Sequence, residues 1–233
     1  IHGDVRQPIN WIPRETVGLI ANFSAVHREP GHKNYEYYET NLMGAENVCR
    51  WAEKVKCDRV IFSSSIAPYG LSDDVLDEFS LPVPTTAYGG SKLVAEKIHQ
   101  IWQAADIAHR HLVIVRPGVV FGPGEGGNVS RLIRSVNRRY FFYMGNRNTR
   151  KAGVYVKELC NAITWVLDTQ SDKKGGVILF NMSMNPGPSI QEYVEAIFKV
   201  IDKRFWIPSL PYRLLLFVSY VISACADILR LKH

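Results

Sequence analysis

Three continuous apolar runs, residues 17–23 (VGLIANF), 59–62 (RVIF) and 111–116 (HLVIVR), are separated by two segments of helical spacing. The first segment, 41–55, sets Leu42, Ala45, Cys49 and Ala52 on one face. The second follows a proline-rich loop at 81–84 and aligns Val94, Ile98, Ile101 and Ala105. Strands that are apolar throughout, and not at alternate residues, need cover on both faces. Alternation with helices then predicts a parallel sheet between helical layers, a doubly wound α/β fold. A further strand is expected at 177–180 (VILF). Ser189 followed by Glu192 forms a capping box that opens a helix carrying Val194, Ile197, Phe198 and Ile201.

The four cysteines, Cys49, Cys57, Cys160 and Cys225, form no close metal-type pair and no disulfide framework, so no metal site is read and a reducing compartment is expected. Much of the net charge of +6 lies between Arg131 and Lys151, with Arg134, Arg138, Arg139, Arg147 and Arg150 inside that stretch. Such a cluster suits a phosphorylated small molecule, a membrane surface or nucleic acid as well as a solvated face. No nucleic-acid-binding motif accompanies it. Residues 214–226 are almost wholly apolar, too few for a span of about 20 residues. A docked apolar helix over 212–229 is expected instead. The opening Ile1-His2-Gly3-Asp4-Val5 reads as the end of a strand, so residues are expected to precede it.

Tyr88-Gly89-Gly90-Ser91-Lys92 sets a phenol and an ammonium four residues apart, on one face if the segment is helical. An ammonium beside a phenol favours the phenolate, drawing the tyrosine from about 10 toward neutrality. Such a group can take a proton from an alcohol as hydride leaves the same carbon. Ser65 follows the 59–62 strand, at the edge of a parallel sheet where ligands bind. Its hydroxyl could hold the substrate oxygen. A surface Tyr/Lys pair and an ordinary post-strand serine are the plain alternatives.

The stretch Val60-Ile61-Phe62-Ser63-Ser64-Ser65-Ile66-Ala67-Pro68-Tyr69-Gly70 resembles the strand and turn of the extended short-chain dehydrogenases/reductases, of the NAD-dependent epimerase/dehydratase type. Gly3-Asp4-Val5-Arg6, Asn22-Phe23-Ser24-Ala25-Val26-His27, Asn41-Leu42-Met43-Gly44 and Arg116-Pro117-Gly118-Val119-Val120-Phe121-Gly122-Pro123-Gly124 resemble further segments of that family, in its order. The resemblance implies a Rossmann-type fold and NAD as cofactor, with NADP left open. It implies Tyr88 as general base and acid, Lys92 on the nicotinamide ribose, and Ser65 orienting the reacting hydroxyl. Asp4, Val5, Phe23, Ser24, Ala25, His27, Ser63 and Pro117 would line the cofactor with Tyr88 and Lys92. Ser65, Val119, Arg131, Arg150 and Lys151 would meet the substrate. Residues 1–122 would form the cofactor-binding and catalytic domain, joined by strands near 154–183. Residues 123–233 would be mainly substrate-binding. The expected setting is cytoplasmic, with a small-molecule substrate, a homodimer as the assembly, and neither nucleic acid nor a membrane span.

Departures from the family pattern narrow the chemistry. Its glycine-rich phosphate loop would precede Gly3. Gly122, Gly124 and Gly127 satisfy Gly-x-Gly-x-x-Gly, but Pro123 and Glu125 interrupt it, and a carboxylate would repel phosphate. The dehydratases of the family carry Thr-Asp-Glu where this chain has Ser65, Ile66 and Ala67, so dehydration is disfavoured. Many nucleotide-sugar epimerases have asparagine where Val119 stands. Two activities therefore remain: epimerisation of a nucleotide-activated sugar through a transient ketone, and oxidation or reduction of a hydrophobic alcohol or ketone, as in the 3β-hydroxysteroid dehydrogenase branch. A non-catalytic cofactor-binding regulator is a third, disfavoured by the intact Ser65, Tyr88 and Lys92.

Overall fold

The computed structural model describes residues 2–27, 31–72, 74–169 and 175–211, together with Arg213, Leu216 and Tyr220. The apolar helix expected over 212–229 lies, apart from those three residues, outside the described residues. The chain divides into two compact units. One comprises Ile1–Gly118 and Val156–Ser183, the other Val119–Tyr155 and Met184–His233.

The first unit is a parallel sheet of β1 (Ile20–Asn22), β2 (Arg59–Ser63), β3 (His111–Pro117) and β7 (Gly176–Met182), in the order β1-β2-β3-β7. Helix α1 (Asn34–Lys54) links β1 to β2, α2 (Ala87–Ala104) links β2 to β3, and α4 (Val156–Thr169) precedes β7. Strand residues alternate between two cores. Val60, Phe62, Leu112 and Ile114 pack with Ala45, Val48 and Ala52 of α1 and Ala95 and Trp102 of α2. Ile61 and Val113 instead meet Val166 of α4, with Ile163 and Leu167 beside it. Both faces of the sheet are covered, which is why β2 and β3 are apolar at every central position.

Several expected boundaries shift. α1 starts at Asn34, well before residue 41, because the Glu36 carboxylate accepts the Lys33 backbone N–H at 3.0 Å and supplies a start signal that apolar periodicity misses. Strand β1 is confined to three residues within 17–23. Of the apolar face expected on α2, only Ile98 packs against the core. Val94 and Ile101 are exposed, and Ala105 lies beyond the helix, while Ser91, Lys92, Ala95, Glu96, His99 and Trp102 point inward. Internal pairing of the polar groups offsets the cost of burying them.

In the second unit, β4 (Val119–Phe121) pairs with β6 (Gly153–Tyr155), and β5 (Tyr143–Met144) pairs with β8 (Ser209–Leu210). Helices α3 (Asn128–Asn137) and α5 (Ile190–Ile201) pack through Val136, Tyr143, Val194 and Ile197. The capping box forms as expected. Ser189 Oγ accepts the Glu192 N–H at 3.1 Å, and the Glu192 carboxylate accepts the Ser189 N–H at 2.6 Å. Ser189→Ala should lower stability by about 1 kcal/mol. Urea titration would show this as an earlier midpoint with an unchanged slope, and an unmoved midpoint would mean the cap is dispensable. Glu125 blocks the glycine decoy: its carboxylate accepts Ser130 N–H at 3.1 Å and Ser130 Oγ–H at 2.7 Å, capping α3 where a phosphate would have to bind. Among the described residues, no helix is long and apolar enough to cross a membrane.

Candidate active site

Parallel pairing brings the ends of β1, β2 and β3 to one edge of the sheet, where Phe23 and Ser24, Ser63 to Ser65, and Pro117 follow one another across neighbouring strands. The Ser65 segment is pinned on both sides. Ser64 N–H donates to Val115 O at 2.8 Å, and Ile66 N–H donates to Pro117 O at 3.1 Å. Ser65 Oγ accepts the Ala67 N–H at 3.1 Å, which leaves its own hydroxyl proton for another acceptor.

Tyr88 and Lys92 lie one turn apart at the start of α2. Thr86 Oγ1 caps that turn by accepting the Gly89 N–H at 3.1 Å, and Ser91 Oγ donates to Tyr88 O at 2.8 Å. Gly89 is needed for close approach. A Cβ there would stand 2.5 Å from the Ala67 carbonyl oxygen, so the first turn of α2 rests directly on the turn after Ser65. Lys92 is 2% exposed, donates to Ser63 O at 2.8 Å, and sits 4.8 Å from the Phe62 ring centroid. Burial pulls its ammonium down to about 8, against the opposing pull of Glu96. It therefore remains charged at neutral pH, the state in which it favours an adjacent phenolate.

Behind these groups lies a buried polar cluster that the sequence alone did not reveal. Glu96 accepts Arg116 Nε at 2.8 Å and Arg116 Nη2 at 2.6 Å, and also accepts Ser64 Oγ at 2.5 Å. The guanidinium lies 4.7 Å from the centroid of the Tyr69 ring, whose hydroxyl donates to Asn181 Oδ1 at 2.9 Å. Ser64 is thus committed to the ion pair, and Ser65 is the serine left facing the edge. Asn41 joins three segments: its Nδ2 donates to Ser91 Oγ at 2.8 Å and its Oδ1 accepts the Val26 N–H at 3.2 Å. The spacing Tyr88, Lys92, Glu96, His99 along one helical face was a signal available in the sequence.

The remaining candidates fall into two groups. In the first unit, Asp4 is exposed and held by Arg6, Val5 packs against Gly44, Phe23 is exposed, and Ser24 and Ala25 are half-buried. His27 is exposed and Pro117 buried. An exposed phenyl ring beside hydroxyls and a buried ammonium, at the carboxyl edge of a parallel sheet, fits a ligand with a flat ring and ribose hydroxyls, as NAD has. Val119, Arg131, Arg150 and Lys151 belong to the second unit. Arg131 donates to Gly127 O and Asn128 Oδ1 at 3.2 and 2.9 Å. Arg150 donates to Gly187 O at 2.6 Å and lies 3.6 Å from the Glu192 carboxylate, while Lys151 is exposed.

His99 adds a pH-dependent element. Burial pushes its imidazole down to about 4 from 6.5; the Ala95 carbonyl opposes this, and the nearby Lys92 ammonium adds to it. The unfolded chain binds this proton more readily, so the stabilisation is complete above about pH 6.5 and is lost as pH falls toward 4, by about 3 kcal/mol. Urea unfolding free energies across that window should show the loss, and His99→Phe should flatten it. An equally steep decline in the variant would assign the effect to other groups.

Residues 9–181 match the NAD dependent epimerase/dehydratase family. The chain belongs to that family. It is 31% identical over 215 residues to the N-acetyl-alpha-D-glucosaminyl-diphospho-ditrans,octacis-undecaprenol 4-epimerase of Escherichia coli O157:H7, covering 92% of this chain and 62% of that protein. It is 30% identical over 174 residues to the UDP-glucose 4-epimerase of Vibrio cholerae, covering 73% of this chain and 52% of that protein. The chain thus spans between half and two thirds of the length of these two relatives. MoeE5, solved in complex with UDP-glucose and NAD, shares the fold with a TM-score of 0.76 at 23% identity, over 91% of this chain and 72% of MoeE5.

Proposed function

We propose that the full-length protein is an NAD-dependent 4-epimerase of a sugar carried on a diphosphate, with a nucleotide-activated sugar as the first candidate, working in the cytoplasm. The observation that carries this reading is Lys92, buried and anchored to the end of β2, one turn from Tyr88 on a helix seated on the Ser65 turn. Tyr88, as phenolate, takes the proton of the sugar 4-hydroxyl, and Lys92 keeps that phenolate accessible. Ser65 donates its free hydroxyl proton to the reacting oxygen and holds it in place. NAD, when bound, supplies acceptance and return of hydride. The transient ketone presents its opposite face before hydride returns, and Tyr88 gives the proton back to the same oxygen, which completes the inversion. Asp4, Val5, Phe23, Ser24, Ala25, His27, Ser63 and Pro117 are assigned to the cofactor. Arg131, Arg150 and Lys151 are assigned to the diphosphate, where guanidinium geometry is well suited, and Val119 to the sugar.

A second carrier is supported by one observation. The Escherichia coli relative, matched over 92% of this chain, is named for a sugar on undecaprenyl diphosphate. Both carriers present the same diphosphate to the arginines.

The test uses the purified full-length protein with UDP-glucose, UDP-GlcNAc, a polyprenyl-diphosphate-linked GlcNAc and a panel of hydrophobic ketones. Inversion at C4 with no net change in reduced-nicotinamide absorbance is expected, and the substrate that inverts identifies the carrier. Steady cofactor consumption with a ketone and no sugar inversion would overturn the epimerase reading in favour of a reductase.

A further inference from the structure

Inside the first unit, a fully buried histidine, His99, stands two turns along α2 from Lys92. Its hydrogen bonds run toward its own helix and β1. His99 Nδ1 lies 2.8 Å from Ala95 O, and Nε2 lies 3.2 Å from Asn22 Nδ2. A carbonyl can only accept, so Nδ1 carries the proton and Nε2 of the neutral ring accepts from the Asn22 amide. That fixes the carboxamide: Asn22 Oδ1 faces Ser24 and accepts both its Oγ–H at 2.6 Å and its N–H at 3.2 Å. The ring itself is held by stacking on Phe62, centroids 4.2 Å apart and planes 17° from parallel. Every link has one consistent donor and one consistent acceptor, and the chain of bonds ends at the exposed edge of the sheet.

We propose that His99 is the positioning residue for the cofactor-lining segment 22–25: through Asn22 it sets the orientation of the Ser24 hydroxyl and the path of the backbone beneath the cofactor. The inference rests on the reading that this segment lines NAD. Its physical basis is that the relay starts on α2, the helix that carries Tyr88 and Lys92. The wall under the cofactor and the catalytic pair are thereby referenced to one rigid element. A phenylalanine at 99 would keep the stacking on Phe62 but remove the acceptor, leaving the Asn22 amide free to turn and releasing Ser24.

Isothermal titration of full-length wild type, His99→Phe, Ser24→Ala and the double variant with NAD tests the relay. His99→Phe should weaken NAD binding about tenfold. In the Ser24→Ala background the same change should cost less than about threefold, since the relay's end is already gone. Val113→Ala, in the core on the other face of the sheet, controls for general destabilisation. If it weakens NAD binding as much as His99→Phe does, or if the two relay variants add in full, the proposal is overturned. Should His99→Phe not fold, the wild type still decides. Long-range proton–nitrogen NMR at pH 7 must show the Nδ1–H tautomer at His99, and the Nε2–H tautomer or an imidazolium would overturn the relay. A wild type that binds no NAD would sink the cofactor reading and this inference with it. NAD binding indifferent to both relay variants would overturn the inference alone.

Discussion

Replacing Tyr88 by phenylalanine in the full-length protein is expected to lower turnover by about 10² to 10⁴-fold while leaving NAD affinity within about a factor of two. The side chain keeps its volume, its place in the first turn of α2 and its ring contact with Tyr37, whose centroid lies 6.0 Å away. Only the proton carrier is removed. Lys92 remains buried and anchored to Ser63 O, so the groups assigned to the ribose are unaltered. Single-turnover kinetics and isothermal titration on the same preparations separate the two quantities. A variant that turns over normally would remove Tyr88 from proton transfer. One that loses NAD affinity in proportion to rate would make it a binding residue instead.

The second large effect concerns Glu96. Glu96→Ala should destabilise the fold by about 3–5 kcal/mol, because it strands a guanidinium whose side chain is 4% exposed. The melting temperature should then fall by roughly 10 °C. The loss should exceed that of an exposed ion pair such as Arg50–Glu46, worth about 1 kcal/mol or less. Replacing both partners together, Glu96→Leu with Arg116→Met, should recover much of the loss, since no uncompensated charge is then buried. If Glu96→Ala melts with the wild type, the pair is not a fixed part of the interior. Ser64 loses its acceptor in these variants, and the neighbouring Ser65 should become less ordered. Turnover is therefore expected to fall even in the double variant that recovers stability.

The fold and the site were unequally legible in the sequence. The sheet could be read because β2 and β3 lie between two helical layers. Burial on both faces leaves a continuous apolar run, which neither an amphipathic helix nor a half-exposed strand would show. The helix at 190–201 could be read because Ser189 and Glu192 cap it with their own side chains. The start of α1 could not, since its capping carboxylate follows a lysine, a poor start signal. Tyr88, Lys92 and Ser65 were legible as residue types at a spacing with a chemical purpose. The buried polar groups behind them were not. Glu96, Arg116, Asn22, Asn41 and His99 each depend on at least one partner from another element, up to 77 positions away for Asn22 and His99. A single stretch of sequence shows the helical spacing of Lys92, Glu96 and His99 but not the partners that satisfy them. Periodicity was also misleading on α2, where Val94 and Ile101 marked the exposed side.

The inverted face of α2 has a consequence for how this segment tolerates change. On most amphipathic helices, substitutions at apolar positions are the harmful ones and those at charged positions are absorbed. Here a saturation scan should give the reverse profile: glutamine or serine accepted at Val94 and Ile101, and even conservative replacements rejected at Lys92, Glu96 and His99. Among descendants of this chain, drift along the helix would be free at Val94 and Ile101 and arrested at Lys92, Glu96 and His99 as well as at the buried Ala95 and Trp102. A ranking of variants by hydrophobicity alone would therefore set Val94 and Ile101 above Lys92, Glu96 and His99, the reverse of their burial.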